Sequence, residues 1–278
     1  MTTAVHRLLV PGDPSEAAAI RAFVASGAWW DSAAFQRLAT RNPRYEVYAC
    51  ELPGAGTPCI LKIAQAAPAG HRGVRRLEAL VSHLAHDPAR RALRGARLLA
   101  QNGLPTFRPL ACWTARRGGF FRDSFFLYAR IPARHSLKDY KLGTTGLPPA
   151  ENARAFDALV APLAELVAGL HRRGLRHDDL ACGNFLVDAD GRLQLIDVDH
   201  VRAARLRWPR WLKRCFDLND LRRLDLDDVR MDAFLRRYLG ANDSPGWRRV
   251  FAFWRAGGNR PGRWLRRRLG LRRASARP

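Results

Sequence analysis

Residues 171–200 read HRRGLRHDDLACGNFLVDADGRLQLIDVDH, and this stretch decides the fold because its polar residues surround a predicted β-hairpin. Two short apolar runs, 185–187 and 193–196, flank a turn-forming Ala-Asp-Gly sequence. That pattern is typical of two antiparallel strands joined by a tight turn. Because a hairpin brings its two ends together, we expect Asn184, before the first strand, to lie close to Asp197, after the second.

The spacing of the polar residues indicates phosphoryl transfer. His177, Asp179 and Asn184 fit H-x-D-L-x-x-x-N, a pattern in which the Asp receives the proton of an acceptor hydroxyl and the Asn binds magnesium. The oxygens of Asn184 and Asp197 would suit one hard cation. Acidic residues near a turn are often merely solvated, but three functional positions at fixed offsets favour a catalytic centre that uses ATP and Mg²⁺.

The motifs resemble those of one family. Residues 196–199 read I-D-V-D, the catalytic loop precedes them, Lys62 lies in an apolar run, and residues 102–111 read NGLPTFRPLA. Together these features resemble the bacterial lipopolysaccharide core kinases, the heptose and Kdo kinases, in which I-D-x-D replaces D-F-G. The resemblance covers roughly residues 40 to 240. It implies an α+β, two-lobed protein-kinase-like fold and phosphorylation of a sugar hydroxyl of the inner core.

The chain is long enough for one two-lobed unit. We predict an N-terminal extension over 1–34, a small β-rich N-lobe over 35–132, and a mainly helical C-lobe over 133–245. Residues 246–278 are expected to form a basic, aromatic tail.

In the N-lobe, strands are predicted over 35–50 and 58–64. The second contains Lys62, which resembles the strand lysine that binds nucleotide phosphates in kinases. A lysine on an edge strand that discourages aggregation is the alternative.

Two features of the N-lobe depart from the kinase pattern. No G-x-G-x-x-G precedes the lysine, and the helix predicted over 88–102 contains no acidic residue to pair with it. Glu78 and Asp87 are the nearest acidic candidates.

Periodicity and turn residues place further elements in the chain. These are a helix over 14–24, a strand over 123–132 leading into a hinge at 129–131, a loop over 141–150, and helices over 151–173, 217–224 and 228–239. His171 is expected to cap the end of its helix. Asp199 could either bind a second cation or fix the loop, and Asp220 is expected to buttress the catalytic loop.

The formal charge of +23 comes almost entirely from arginine, which suits bidentate contact with phosphate. An anionic glycolipid, an anionic membrane or nucleic acid would each explain it, as would arginine on a solvated surface. The basic, aromatic segment 202–216 suits an acceptor that carries phosphates. The tail from residue 263 is typical of an element that docks on anionic lipid, which we favour over a frayed, solvated C-terminus. Nucleic acid is the less favoured partner of the protein.

The five cysteines show no C-x-x-C spacing, and neither a leader nor a transmembrane run is apparent. We therefore expect a cytoplasmic protein, peripheral at the inner face of the membrane. The pattern gives no oligomeric state.

Three functions follow from these observations. The first is an ATP-dependent kinase of a heptose or Kdo hydroxyl in the lipopolysaccharide core, with Asp179 as catalytic base, Lys62 at the nucleotide, and Asn184 and Asp197 at the metal. The second keeps this machinery but acts on a small molecule or a protein. The third is a catalytically silent nucleotide-binding module with a basic surface for nucleic acid or lipid.

Overall fold

The computed structural model describes residues 5–10, 14–27, 29, 35–38, 44–66, 87–116, 122–203 and 209–256. Its largest sheet has six antiparallel strands in the order β1-β5-β6-β4-β3-β2. The strands are β1 (His6–Leu9), β2 (Gln36–Leu38), β3 (Tyr45–Leu52), β4 (Thr57–Ala64), β5 (Pro109–Arg116) and β6 (Arg122–Ala129). This sheet is the framework of the N-lobe.

An aromatic cluster fills one face of the N-lobe sheet. Trp113 stacks on Phe125 with ring centroids 5.2 Å apart, and the ring of Trp29 meets both of them edge-on. Helix α1 (Pro14–Ser26) packs against the same core through Ile20, Phe23 and Val24. Trp29 is thus buried in this core, whereas Trp30 lies outside the described residues.

Helix α2 (Pro88–Gln101) carries a narrow face of small residues that packs against the stretch after the predicted hairpin. Asp87 caps its first turn by accepting from the backbone N–H groups of Ala89 and Arg90. A Cβ added at Gly95 would lie 1.9 Å from the carbonyl oxygen of Val198. Glycine therefore permits the helix to approach the turn at residues 198–200 this closely.

The C-lobe is mainly helical and holds two small sheets, of order β10-β9-β7 and β11-β8. Helix α4 forms the centre of its core, with buried residues along its length. The elements are β7 (Ala133–Ser136), α3 (Leu137–Leu142), α4 (Pro149–Arg172), β8 (Leu175–His177), β9 (Phe185–Asp188), β10 (Leu193–Leu195), β11 (Val201–Ala203), α5 (Arg210–Asp220), α6 (Asp228–Leu239) and α7 (Pro245–Arg255).

The predicted hairpin is confirmed, since β9 and β10 pair in antiparallel register. Helix α4 ends before Gly174, which has φ 69°, as the sequence pattern predicts. The helix predicted over 217–224 is observed as α5, which starts at Arg210 and ends at Asp220. Part of the basic, aromatic segment before residue 217 is therefore helical, and a 3-10 turn over Leu221–Arg223 follows the helix. The tail from residue 263 lies outside the described residues, and no helix in the described part is long and apolar enough to cross a bilayer.

Candidate active site

The catalytic loop is held together by its own polar groups. Strand β8 ends at His177, which is fully buried, and the backbone N–H of Asp179 donates to its Nδ1 at 3.1 Å. Asn184 Nδ2 donates to the carbonyl oxygen of Asp179 at 2.8 Å and lies 3.4 Å from its Oδ2. Burial lowers the pKa of His177 to about 4, so the ring is neutral at pH 7. Because the ring is buried and accepts the Asp179 N–H, His177 organises the loop.

The hairpin brings Asn184 and Asp197 together as predicted. The backbone N–H of Ile196 donates to the Asn184 carbonyl oxygen at 2.8 Å, which places Asp197 next to this contact. Asp197 has φ 59° and ψ 44°, and among the described residues it is the one non-glycine residue with positive φ. A non-glycine residue held in this region costs on the order of 1 kcal/mol and is often found at functional sites.

Lys62 joins the N-lobe to this hairpin. Its strand β4 lies between β3 and β6, so the edge-strand interpretation is wrong. Lys62 Nζ donates to Asp197 Oδ1 at 2.6 Å and lies 3.9 Å from Asp199 Oδ1. It also lies 4.5 Å from the ring centroid of Tyr45, within the range of a cation–π contact. Strand β4 and the segment after the hairpin therefore meet where the Lys62 ammonium group lies close to the carboxylates of Asp197 and Asp199.

These charges set one another's protonation. Burial by itself would lower the pKa of Lys62, but the charges of Asp199 and Asp197 outweigh it and hold that pKa above its ordinary value. Burial opposes ionisation of Asp197, yet the Lys62 charge keeps its pKa below the ordinary range. Burial, followed by the charge on Asp197, raises the pKa of Asp199 despite Lys62. At pH 7 Lys62 and Asp197 are an ion pair.

Neither of the acidic candidates proposed as partners of Lys62 is seen to pair with it. Asp87 is occupied as the cap of α2, and Glu78 lies outside the described residues. The second carboxylate comes from Asp199, which also accepts from the Tyr45 hydroxyl at 3.3 Å. Helix α2 instead contributes Arg91, whose Nη2 donates to the Asp199 carbonyl oxygen at 2.9 Å. Among the described residues, Asp197 and Asp199 are thus the carboxylates beside Lys62.

A buried polar network supports the catalytic loop. Arg176 Nε donates to Asp220 Oδ2 at 2.9 Å, which confirms the buttress predicted for Asp220. His171 lies beside it, with Nδ1 2.7 Å from the Tyr238 hydroxyl and Nε2 3.7 Å from Asp220 Oδ2. These contacts fix β8, the strand from which the loop departs.

An arginine that contacts Asp179 was not indicated by the sequence. Arg223 Nη1 donates to Asp179 Oδ1 at 2.6 Å, and its side chain is 47% exposed. Asp178, the neighbouring carboxylate, pairs with Arg202. Asp179 is thus bracketed by Arg223 on one oxygen and by Asn184 near the other.

The donor set suits a hard divalent cation. Asp197, Asp199 and His200 each offer one ligand atom, and these atoms lie within 4.8 Å of one another. Because Asn184 Nδ2 is bonded to Asp179, its amide oxygen is left for a ligand. Carboxylate and amide oxygens are the groups that Mg²⁺ prefers.

The sequence profile of the family described as "Lipopolysaccharide kinase (Kdo/WaaP) family" matches residues 77–238, more than half of the chain. The chain belongs to this family. The matched range includes the catalytic loop and the hairpin but begins after Lys62. The resemblance stated from the motifs is therefore confirmed.

Curated relatives carry one name. A protein of Stenotrophomonas maltophilia (strain K279a), "3-deoxy-D-manno-octulosonic acid kinase", is 36% identical over 150 residues, which cover 51% of this chain and 55% of the relative. A protein of the same name from Xanthomonas oryzae pv. oryzae (strain PXO99A) is 37% identical over 122 residues, covering 42% and 44%. The chain thus spans about half the length of the curated relatives that it matches.

One solved structure agrees along nearly the whole chain. The structure titled "WaaP in complex with acyl carrier protein" is 20% identical, with a TM-score of 0.54, and covers 93% of this chain and 99% of its own. At this identity the likeness concerns the fold alone. It confirms the predicted two-lobed, protein-kinase-like α+β architecture.

Proposed function

We propose that this protein is an ATP-dependent kinase that transfers the γ-phosphate to a hydroxyl of a lipopolysaccharide core sugar. The observation that carries the proposal is the meeting of Lys62, Asn184, Asp197 and Asp179 where the two lobes face each other. Lys62 reaches this group of loop residues from 135 positions away, and it brings the charge that a nucleotide phosphate needs to the metal and acceptor groups of the loop. Among core sugars we favour 3-deoxy-D-manno-octulosonic acid (Kdo) over heptose, because the curated relatives are named for it.

The residues divide into two halves of one site. Lys62 would hold nucleotide phosphates, and Asn184 with Asp197 would hold Mg²⁺, which supplies charge neutralisation at the transferred phosphoryl group. Asp179 would hold the acceptor hydroxyl in line and accept its proton. Positioning and preorganised charge, rather than covalent chemistry, would supply the rate.

The proposal places the enzyme at the inner face of the cytoplasmic membrane, where a lipid-linked acceptor would be met. The net charge of +23 supports attraction to an anionic surface. Sedimentation with vesicles of anionic lipid, lost at high salt, is the expected behaviour.

The decisive experiment follows labelled γ-phosphate from ATP with magnesium into four acceptors: Kdo-containing core, heptose-containing core without Kdo, a generic protein, and water. We expect transfer to the Kdo acceptor. Asp179→Ala should lower kcat by about 100-fold or more while leaving nucleotide affinity unchanged, because removal of a general base affects the chemical step.

Asp178→Ala is the matched control. It removes the neighbouring carboxylate, which is engaged with Arg202, and should leave kcat within a few-fold of wild type. Equal loss of nucleotide binding in Asp179→Ala, or transfer to protein alone, would contradict the proposal. Nucleotide binding without any transfer would favour the silent module.

A further inference from the structure

The guanidinium of Arg223 lies directly beside the candidate base. Its Nη1 donates to Oδ1 of Asp179, the carboxylate to which the proposed function assigns the acceptor hydroxyl. A sugar whose hydroxyl reaches Asp179 can therefore place a neighbouring substituent within reach of this arginine.

The backbone that carries Arg223 is firmly anchored. Leu221 and Leu224 are both buried in the C-lobe core, and the Leu224 N–H donates to the Leu221 carbonyl oxygen at 2.9 Å. Asp220, which immediately precedes this turn, is bonded to Arg176 at the start of the catalytic loop. Arg223 and Asp179 are thus fixed to the same buried support, so their relative positions are set before an acceptor binds.

Asp179 uses one of the N–H donors of the Arg223 guanidinium, and the other donors do not bond to it. A guanidinium has five N–H donors in a planar fork that suits a carboxylate or a phosphate. Within the part of the chain that the structure describes, Asp179 is the one group bonded to it, through Nη1 alone. Since the side chain is 47% exposed, its remaining donors can be reached from solvent.

Arg222, the neighbouring arginine, differs in this respect. Its Nη1 donates to Asn219 Oδ1 at 2.7 Å, three residues back on the same turn, and its side chain is less exposed. Two adjacent arginines with equal charge thus have different surroundings: Arg222 is bonded to Asn219, and Arg223 is bonded to the candidate base.

We propose that Arg223 binds the carboxylate of an acidic acceptor sugar and so positions the sugar's hydroxyl against Asp179. This inference rests on the proposed function. In the absence of acceptor, Arg223 rests on Asp179. When the acceptor binds, the acceptor's carboxylate takes the remaining N–H donors, and the hydroxyl is held next to the base. Arg223 is a positioning and specificity residue, since it takes no part in proton transfer.

The test compares two acceptors: the Kdo-terminated core used above, and the same core after its carboxylates have been converted to carboxamides. Wild type should prefer the acid by about 10- to 100-fold in kcat/KM, mainly through KM, because a charge-assisted hydrogen bond is lost in the amide. Arg223→Gln should bring this ratio close to one. Arg223→Lys should give an intermediate ratio, since lysine keeps the charge but lacks the fork.

Arg222→Gln removes the same charge one residue earlier and should keep the wild-type ratio. The KM for ATP should stay unchanged in all three variants. If Arg223→Gln lowers transfer to the acid and the amide by equal factors, or if wild type does not distinguish them, the inference is wrong while the proposed function stands. If wild type transfers phosphate to neither acceptor, the proposed function fails, and this role for Arg223 fails with it. Should Arg223→Gln not fold, the ratio in Arg223→Lys decides.

Discussion

The catalytic loop with its hairpin and the strand that carries Lys62 differ in how far apart in the sequence their contacts lie. Asn184 meets Asp179 across five residues. Lys62 meets Asp197 across 135 residues, and Tyr45 meets Asp199 across 154. The first region is specified by local spacing, whereas the second exists only once the lobes have come together. The family profile follows the same division, since it begins after Lys62.

The largest expected effect comes from a substitution of Lys62, on the strand whose contacts depend on the two lobes coming together. Lys62→Ala should lower kcat/KM for ATP by about 100- to 1,000-fold, because one preorganised charge at the phosphates is lost. Steady-state kinetics at varied ATP would measure this. Lys141→Ala is the control, since Lys141 pairs with Asp225 in the C-lobe.

Retention of activity within a few-fold in Lys62→Ala would overturn the assignment of this strand. The nucleotide half would then depend on arginines, and the resemblance of the N-lobe to other kinases would extend to the fold alone.

The hairpin could be predicted because its information is contiguous. Apolar alternation and an Ala-Asp-Gly turn fix the register, and the register places Asn184 beside Asp197. The fold class followed from the same stretch. Asp220 could be suggested as a buttress, although only the structure shows its partner, Arg176.

The lysine side could be predicted only in part. The sequence showed that the helix over 88–102 lacks an acid, but not that Asp199 would lie beside Lys62. Contacts between residues this far apart are not encoded by a linear pattern. Arg223 was missed for the same reason, since it contacts Asp179 from 44 residues away.

The polar network that supports the catalytic loop contains a second buried histidine, His171. Because this histidine is held neutral, the stability of the fold is sensitive to acid. Burial lowers the pKa of His171 to about 3 from an ordinary 6.5. Between these values the unfolded chain takes up a proton that the folded chain cannot, so stability is full above pH 6.5 and is lost as pH falls. We expect His171 to cost roughly 3 kcal/mol of unfolding free energy by pH 4.

Urea unfolding at pH 7, 5.5 and 4 would measure this loss. His171→Gln, which keeps a partner for the Tyr238 hydroxyl, should show a shallower decline than wild type. His135→Gln, at a less buried histidine on β7, should decline as wild type does. An unchanged slope in His171→Gln would show that the acid sensitivity arises elsewhere.

The smallest expected effect concerns Asp199, where the two regions join. Asp199→Asn keeps the backbone carbonyl that Arg91 contacts but removes the second negative charge facing Lys62. If the Asp199 charge helps to hold Lys62 in place, KM for ATP should rise about tenfold, as expected for loss of one charged partner. Asp190→Asn, on the exposed hairpin turn, should leave KM unchanged.

A loss of turnover as complete as that in Asp179→Ala would instead make Asp199 a metal ligand, because an amide in place of a coordinating carboxylate weakens Mg²⁺ binding itself. Titration of activity with Mg²⁺ separates the two roles, since only a ligand variant would need a higher Mg²⁺ concentration for half-maximal rate.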